Sequence, residues 1–283
     1  MNKIISLAFS TCPNDTFIFY ALAHKKIVTD ISFEIHLEDV ESLNQCAKSK
    51  KFDVSKLSFA AIGHLLETYG LLHCGAALGR GCGPLIVARP GVDLSRLKSI
   101  AVPGVWTTAN MLLNLYLSGQ SAGKSSFRYD ITPIPFDKIM PSVKNGMFDF
   151  GVIIHEGRFT YKEHGLVSLL DLGNWWEKIS LLPIPLGGIA IRRDLSTETI
   201  KAVEKAIYDS ILYAFANRDE TYDYIKEYSQ EMSLSVIRQH IDLYVNDFTV
   251  NAGDEGERAI NMLFNMARKY NLLPETDLPV FAS

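Results

Sequence analysis

The sequence predicts an α/β protein built as two lobes with a central cleft, and three observations predict it. Short apolar runs alternate with helix-period patterns from Ile4 to Ile154. Two turn-rich segments mark crossings, one carrying Gly75, Gly79, Gly81 and Gly83, the other running from Pro183 to Gly188. Beyond Arg192 the pattern is helical almost throughout. A chain that leaves one strand–helix series, builds a second and returns gives a discontinuous large lobe, expected at residues 1–90 plus 188–283, and a small lobe at residues 91–187.

Ile4 to Phe9 reads as a buried strand that ends at the polar turn Ser10 to Asp15, and Phe17 to Lys25 as the helix after it. Ile31, Phe33, Ile35 and Leu37 alternate with Ser32, Glu34 and His36, the signature of a half-buried strand. Val40 to Ser49 is expected as a helix, Phe52 to Leu57 as a strand and Ala60 to Tyr69 as a helix. After the first crossing come strands at Leu85 to Ala88, Ser99 to Val102, Tyr129 to Pro133 and Phe150 to Ile154, with helices at Thr107 to Leu117 and Phe136 to Asn145. Leu166 to Leu172 is a further apolar run, and Gly188 to Arg192 a returning strand. Helices are expected at Thr197 to Ala216, Glu220 to Tyr228, Ser233 to Val245 and Gly253 to Tyr270. Asp254 and Glu255 near the start of the last, with Arg268 and Lys269 near its end, suit the helix dipole.

Composition bounds the function. The 283 residues are 47% hydrophobic and 21% charged, which suits packed lobes rather than a disordered chain. A net charge of −4 offers no surface for nucleic acid or an anionic membrane. The apolar stretch near the N-terminus stops after about six residues, too soon for a secretory signal, and no run reaches the ~18 residues of a membrane span. A cytoplasmic location is therefore expected, with the four cysteines (Cys12, Cys46, Cys74, Cys82) as free thiols.

In sheets of this kind ligands bind at the carboxyl ends of strands. Four segments sit there. Ser10 to Thr16 joins strand to helix; Asn14 or Asp15 is placed to cap that helix, and Cys12 is open to reading as a nucleophile or, preferably, a packed thiol. Asp53 to Ala60 offers the charge of Lys56 and the hydroxyl of Ser58 at a helix start. Pro103 to Asn110 opens another helix with Thr107 and Thr108. In the fourth, the strand Phe150 to Ile154 ends in His155-Glu156-Gly157-Arg158. Imidazole titrates near neutrality, so His155 suits a general base, with Glu156 or a backbone carbonyl to orient it. Each segment equally admits a purely structural reading as a capped turn. His155 and Glu156 lack the second histidine of a zinc helix, so no metal is expected. The other histidines (24, 36, 64, 73, 164 and 240) read as surface or packing residues, and Trp175 and Trp176 as loop aromatics that either wall the cleft or serve the core. Dinucleotide, P-loop and nucleophile-elbow motifs are absent from the sequence.

Taken together, CPNDTFIFYAL (Cys12 to Leu22), LEDVESLN (Leu37 to Asn44), KLSFAA (Lys56 to Ala61), ALGRGCGPL (Ala77 to Leu85), AVPGVWTTA (Ala101 to Ala109), IIHEGRFTY (Ile153 to Tyr161), DLGNWWE (Asp171 to Glu177), LPIPLGGI (Leu182 to Ile189) and YVNDFT (Tyr244 to Thr249) resemble the 1,4-dihydroxy-6-naphthoate synthase family of the futalosine route to menaquinone. The likeness runs along almost the whole chain, departing at Thr11, where Pro is usual, and Gly157, where Ser is usual. It implies a type 2 periplasmic-binding-protein-like fold used inside the cell as a carbon–carbon lyase without cofactor. The implied small-molecule substrate is cyclic dehypoxanthinylfutalosine, cleaved to 1,4-dihydroxy-6-naphthoate and dihydroxyacetone. It also implies His155 as proton acceptor, and ligand contacts from Lys56, Leu57 and Ser58 and from Thr108 and Ala109. Asn14, Asp15 and Thr107 join the expected site by their place at strand ends. Three rival readings are the sister chorismate dehydratase, whose pattern lacks this histidine, a solute-binding protein, which needs an export signal, and a ligand-sensing regulator domain, which needs a DNA-binding module that the composition and length do not offer.

Overall fold

A computed structural model describes residues 4–96, 98–120, 129–229 and 233–282; the first three residues, which entered the reading of the N-terminus, lie outside it. The chain runs β1 (Ile4–Ser10), α1 (Pro13–Ala23), β2 (Ser32–Glu38), α2 (Val40–Lys48), β3 (Val54–Ser58), α3 (Phe59–His64), β4 (Tyr69–Leu71) and β5 (Ala77–Gly79). It continues with β6 (Leu85–Ala88), β7 (Ser99–Val102), α4 (Thr108–Gln120), β8 (Asp130–Pro133), α5 (Phe136–Lys144), β9 (Phe150–Ile153), α6 (Gly157–Thr160), β10 (Val167–Asp171) and α7 (Leu172–Ser180). β11 (Ile184–Arg192) then leads to α8 (Thr197–Ala216), α9 (Arg218–Tyr228), α10 (Leu234–Tyr244), α11 (Asp247–Val250) and α12 (Gly253–Lys269).

Two sheets result. The first has the order β2-β1-β3-β11-β4, with β5 also paired to β11. β1 is parallel to both neighbours, as crossover helices require, while β11 returns antiparallel to β3. The second has the order β10-β6-β9-β7-β8. Membership passes to the second sheet between β5 and β6 and returns with β11 at Ile184, a few residues before the sequence-based boundaries at 90 and 187.

Burial follows the sequence pattern. β3 is buried at every residue, whereas β2, the alternating strand, lies at the sheet edge and is half-buried. One apolar cluster joins the lobes: Leu57 and Phe59 share it with Ile86, Val102, Leu112 and Phe150. A second lies between the first sheet and α1 and α8, through Phe9, Phe19, Ile207 and Ile211. A third fills the far face of the second sheet under α5, through Val87, Ile139 and Val143. Each fully buried side chain of this size contributes about 1.5–3 kcal/mol.

Several elements differ from expectation, among them Pro183 to Gly188, expected as a turn-rich crossing, which is strand from Ile184 because β5 pairs with it. α1 begins at Pro13 rather than Phe17, because proline at the first helical position forfeits only an N–H that would be unpaired anyway. The helix expected to reach Tyr69 stops at His64, and Tyr69–Leu71 becomes a strand between β11 and the C-terminal segment. Leu71 donates its N–H to Val280 and accepts from Ala282, so the sheet claims the backbone groups a helix would have used. Trp175 and Trp176 lie on a helix, not a loop. Asp171 caps α7 by accepting from the amides of Gly173 and Asn174 at 2.8 and 3.0 Å. Gly173 sits there because a Cβ would fall 2.7 Å from the backbone N of Gly83.

Candidate active site

The loops after β1, β3, β7 and β9 converge on one cavity of about 670 Å³, counted to its open mouth. From the first sheet come Asn14, Asp15, Lys56, Leu57 and Ser58; from the second come Thr107, Thr108, Ala109 and His155. The cavity thus collects all nine residues picked out in the sequence, far apart in the chain.

Its floor is a buried charge network. Asp15 and Lys56 are 2% and 5% exposed, and Lys56 Nζ donates to Asp15 Oδ1 at 2.7 Å. Asp15 Oδ1 also accepts from Asn14 Nδ2 at 2.7 Å, and Oδ2 from the hydroxyl and amide of Ser10 at 2.6 and 3.3 Å. Lys56 gives a second N–H to the Gly75 carbonyl at 3.2 Å. Such saturation is what makes a desolvated ion pair tolerable. The capping role expected of Asn14 or Asp15 is therefore not the one taken: both lie inside the first turn of α1 and bond each other. Lys56 keeps one of its three N–H groups for other partners.

The helix starts are also committed. Ser58 is bracketed by Asn44, whose Oδ1 accepts the Ser58 amide at 3.0 Å and whose Nδ2 donates to its hydroxyl at 3.1 Å. Thr107 caps α4 by accepting the Asn110 amide at 3.2 Å. The Thr108 hydroxyl donates to the Leu186 carbonyl on β11 at 2.6 Å, a link between the sheets. The amides of Thr108 and Ala109, at the first turn of α4, have no intrahelical acceptor and lie on the cavity wall.

His155 follows β9 with φ +52, in the left-handed region that non-glycine residues seldom occupy. This turn lifts the imidazole off the strand axis toward the first lobe. Its Nδ1 and Nε2 lie 3.4 and 3.7 Å from the Cys12 sulfur, and Phe136 meets the ring edge to face with centroids 5.4 Å apart. Among the described residues neither Glu156 nor a carbonyl orients the ring, contrary to expectation; the contact comes from Cys12, which the sequence placed among packed thiols. Burial pushes the His155 pKa below the usual imidazole value, partly offset by the negative charges of Glu156 and Asp15. Burial, with Glu156 and Asp15 adding to it, pushes the Cys12 thiol well up, so it stays protonated.

His240 is the residue the sequence reading missed. It is fully buried, lines the cavity and stacks nearly parallel to His155, centroids 6.2 Å apart. Burial, then the nearby His155, pushes its pKa well below the ordinary value. The available signal was its position on α10: Ile237, His240, Ile241 and Tyr244 form one buried stripe, with a polar ring where an apolar one belongs. The tryptophans, by contrast, serve packing. Trp176 is fully buried and donates to the Pro183 carbonyl at 3.0 Å, while Trp175 meets Tyr116 edge-on. Arg158 is held by Asp171 and the Gly83 carbonyl, both at 2.6 Å. No cluster of three or more His, Cys, Asp and Glu placed to hold a metal occurs among the described residues.

The family model described as menaquinone biosynthesis matches residues 5–269. A 1,4-dihydroxy-6-naphthoate synthase of Thermus thermophilus is 43% identical over 279 residues, covering 99% of each chain. The chain belongs to the 1,4-dihydroxy-6-naphthoate synthase family of menaquinone biosynthesis. A second synthase of that name, from Streptomyces coelicolor, is 39% identical over 95% of each chain. Family membership makes the chain an enzyme. A solved structure from Archaeoglobus fulgidus is 37% identical and superposes with a TM-score of 0.89, covering 95% of this chain and 98% of that one. The fold extends beyond the family. A Candida albicans protein described as having the generic periplasmic binding protein fold is 17% identical, with a TM-score of 0.69 over 97% of this chain and 92% of its own. The two-lobed architecture is thus the periplasmic-binding-protein-like fold, with its cleft at the cavity described above.

Proposed function

We propose that the chain cleaves cyclic dehypoxanthinylfutalosine to 1,4-dihydroxy-6-naphthoate and dihydroxyacetone, with His155 as general base. The observation that carries this reading is a half-buried imidazole, held below its usual pKa, facing a cavity whose other walls offer a carboxylate seat. A neutral imidazole in a water-poor site accepts a proton from a carbon beside a carbonyl at pH 7. The Cys12 sulfur lies 3.4 Å from Nδ1 and 3.7 Å from Nε2, a weak partner for either ring nitrogen, and the other nitrogen of the neutral ring is the basic atom. Loss of the carbon-bound proton and cleavage of the adjoining carbon–carbon bond leave an aromatic naphthoate, and aromatisation supplies the driving force without a redox partner.

The substrate carboxylate fits between the remaining N–H of Lys56 and the Thr108 and Ala109 amides at the start of α4, where the dipole favours an anion. Leu57 and Leu186 give the ring an apolar wall. The lobes follow the two sheets, and their approach brings His155 from one against Cys12 and His240 of the other. Place of action is the cytoplasm, in keeping with a biosynthetic enzyme; no helix among the described residues is long and apolar enough to cross a membrane.

The test is incubation of the purified protein with cyclic dehypoxanthinylfutalosine and, separately, with chorismate, products being identified by NMR. Naphthoate and dihydroxyacetone from the first and no change in the second are expected. Conversion of chorismate alone would replace this reading by the sister dehydratase, and inertness toward both by a solute-binding role.

A further inference from the structure

We infer that His240 is a second functional imidazole of the cavity, whose Nδ1 lone pair accepts a hydroxyl hydrogen of the bound substrate. This rests on the synthase reading for the identity of the substrate, but the acceptor itself follows from a chain of hydrogen bonds.

The chain starts at Asp15. A carboxylate accepts only, and its Oδ1 receives Lys56 Nζ and Asn14 Nδ2, both at 2.7 Å. The Asn14 amide is thereby oriented: its NH₂ faces Asp15, so its Oδ1 faces His240 Nε2, 2.9 Å away. Two lone pairs cannot meet at that distance, so Nε2 carries the hydrogen and Nδ1 does not. Turning the amide over would set its oxygen 2.7 Å from Asp15 Oδ1, two acceptors with no hydrogen between them. The tautomer of His240 is thus dictated from Lys56, three links away.

Nδ1 is then an acceptor, and it is buried without a hydrogen-bond partner among the described residues. Buried polar atoms are rarely left so, and leaving one costs about 1–3 kcal/mol. The ring is fully buried, lines the cavity and lies parallel to His155. His240 belongs to α10, which packs on α1 and β5 of the first lobe, whereas His155 comes from the second. Parting of the lobes takes His155 off the face of His240 and makes room in the cavity for a ligand whose donor meets the Nδ1 lone pair in the plane of the ring. A group that donates a hydrogen there, a hydroxyl of an oxygenated ring, repairs the deficit; a ligand without one leaves it. His240 therefore selects for a donor and fixes its position relative to the base.

Two substitutions separate this role from a structural one. In His240→Asn the side-chain amide reaches the place of Nδ1 and retains an acceptor there, while the bond to Asn14 is lost. In His240→Gln the amide reaches the place of Nε2, keeping Asn14 satisfied and losing the acceptor. The inference expects kcat/KM to fall about ten- to a hundredfold in His240→Gln and distinctly less in His240→Asn. The reverse order, or equal losses that follow the thermal stability of the two variants, would overturn it. Independently of turnover, wild-type protein labelled with ¹⁵N-histidine is titrated with 1,4-dihydroxy-6-naphthoate, which carries two ring hydroxyls. His240 is expected to show the Nε2–H tautomer and a shift of its Nδ1 resonance on binding. A protonated Nδ1, or an Nδ1 signal unmoved by bound naphthoate, would refute the acceptor. Should wild type not turn over the futalosine substrate yet show the Nδ1 shift, the synthase reading fails and the acceptor stands.

Discussion

Replacing Lys56 by methionine removes one half of a desolvated ion pair and nothing else of comparable size. The partner Asp15 then keeps its Ser10 and Asn14 donors but loses its counter-charge at 2.7 Å, with its side chain 3% exposed. Breaking such a pair from one side costs about 3–5 kcal/mol. Unfolding entropy near 2.1 cal/mol/K per residue gives ~0.6 kcal/mol/K for 283 residues, so the expected fall in Tm is about 5–8 °C. Adding Asp15→Asn removes the stranded charge while leaving a side-chain oxygen to accept from Ser10 or Asn14, which should recover part of the loss. The pair is measured by thermal and urea unfolding of both single variants and the double. A drop of under ~2 °C in Lys56→Met, or a double variant showing the sum of its singles, would refute the account of the floor. The recovered double variant should still be inactive, since Lys56 no longer meets the substrate carboxylate.

Further consequences concern pH, packing and closure. His155 must be neutral to act and its pKa lies below the usual value, so the acid limb of kcat/KM should fall at a pH below about 6.5. Because Glu156 raises that pKa, Glu156→Gln should move the limb to still lower pH; a shift upward in the pH–rate profile would contradict the assignment. A Cβ on Gly83 would lie 2.3 Å from the backbone of Gly173, so Gly83→Ala should lower Tm by several degrees in calorimetry and weaken ligand binding, as Cys82 and Pro84 line the cavity. Solution scattering should show a smaller radius of gyration with naphthoate bound than without; identical curves would remove lobe closure from the mechanism.

Much of the site was legible because each apolar strand stops abruptly at a polar cluster. Ser10, Ser58 and His155 stand where their strands end, and the rule that ligands bind at carboxyl ends did the rest. What escaped depends on contacts far away in sequence. β4 exists because β11 and the residues near 280 supply its hydrogen bonds, which no local periodicity records. α7 is begun by the Asp171 cap despite Gly173 and Asn174, poor helix formers held by the approach of Gly83. Cys12 and His155 are separated by 143 positions, and their contact exists only because β1 and β9 belong to facing sheets. His240 looked ordinary because its three partners in function, Asn14, Asp15 and Lys56, lie more than 180 residues upstream.

The most direct test of the central claim compares purified wild type with His155→Ala on cyclic dehypoxanthinylfutalosine, naphthoate being followed by chromatography and folding by circular dichroism. General base catalysis is worth about 10²–10⁴-fold, so a loss of that size is expected in a variant with unchanged secondary structure and melting. A folded His155→Ala that retains turnover within a few-fold of wild type would remove His155 as the base.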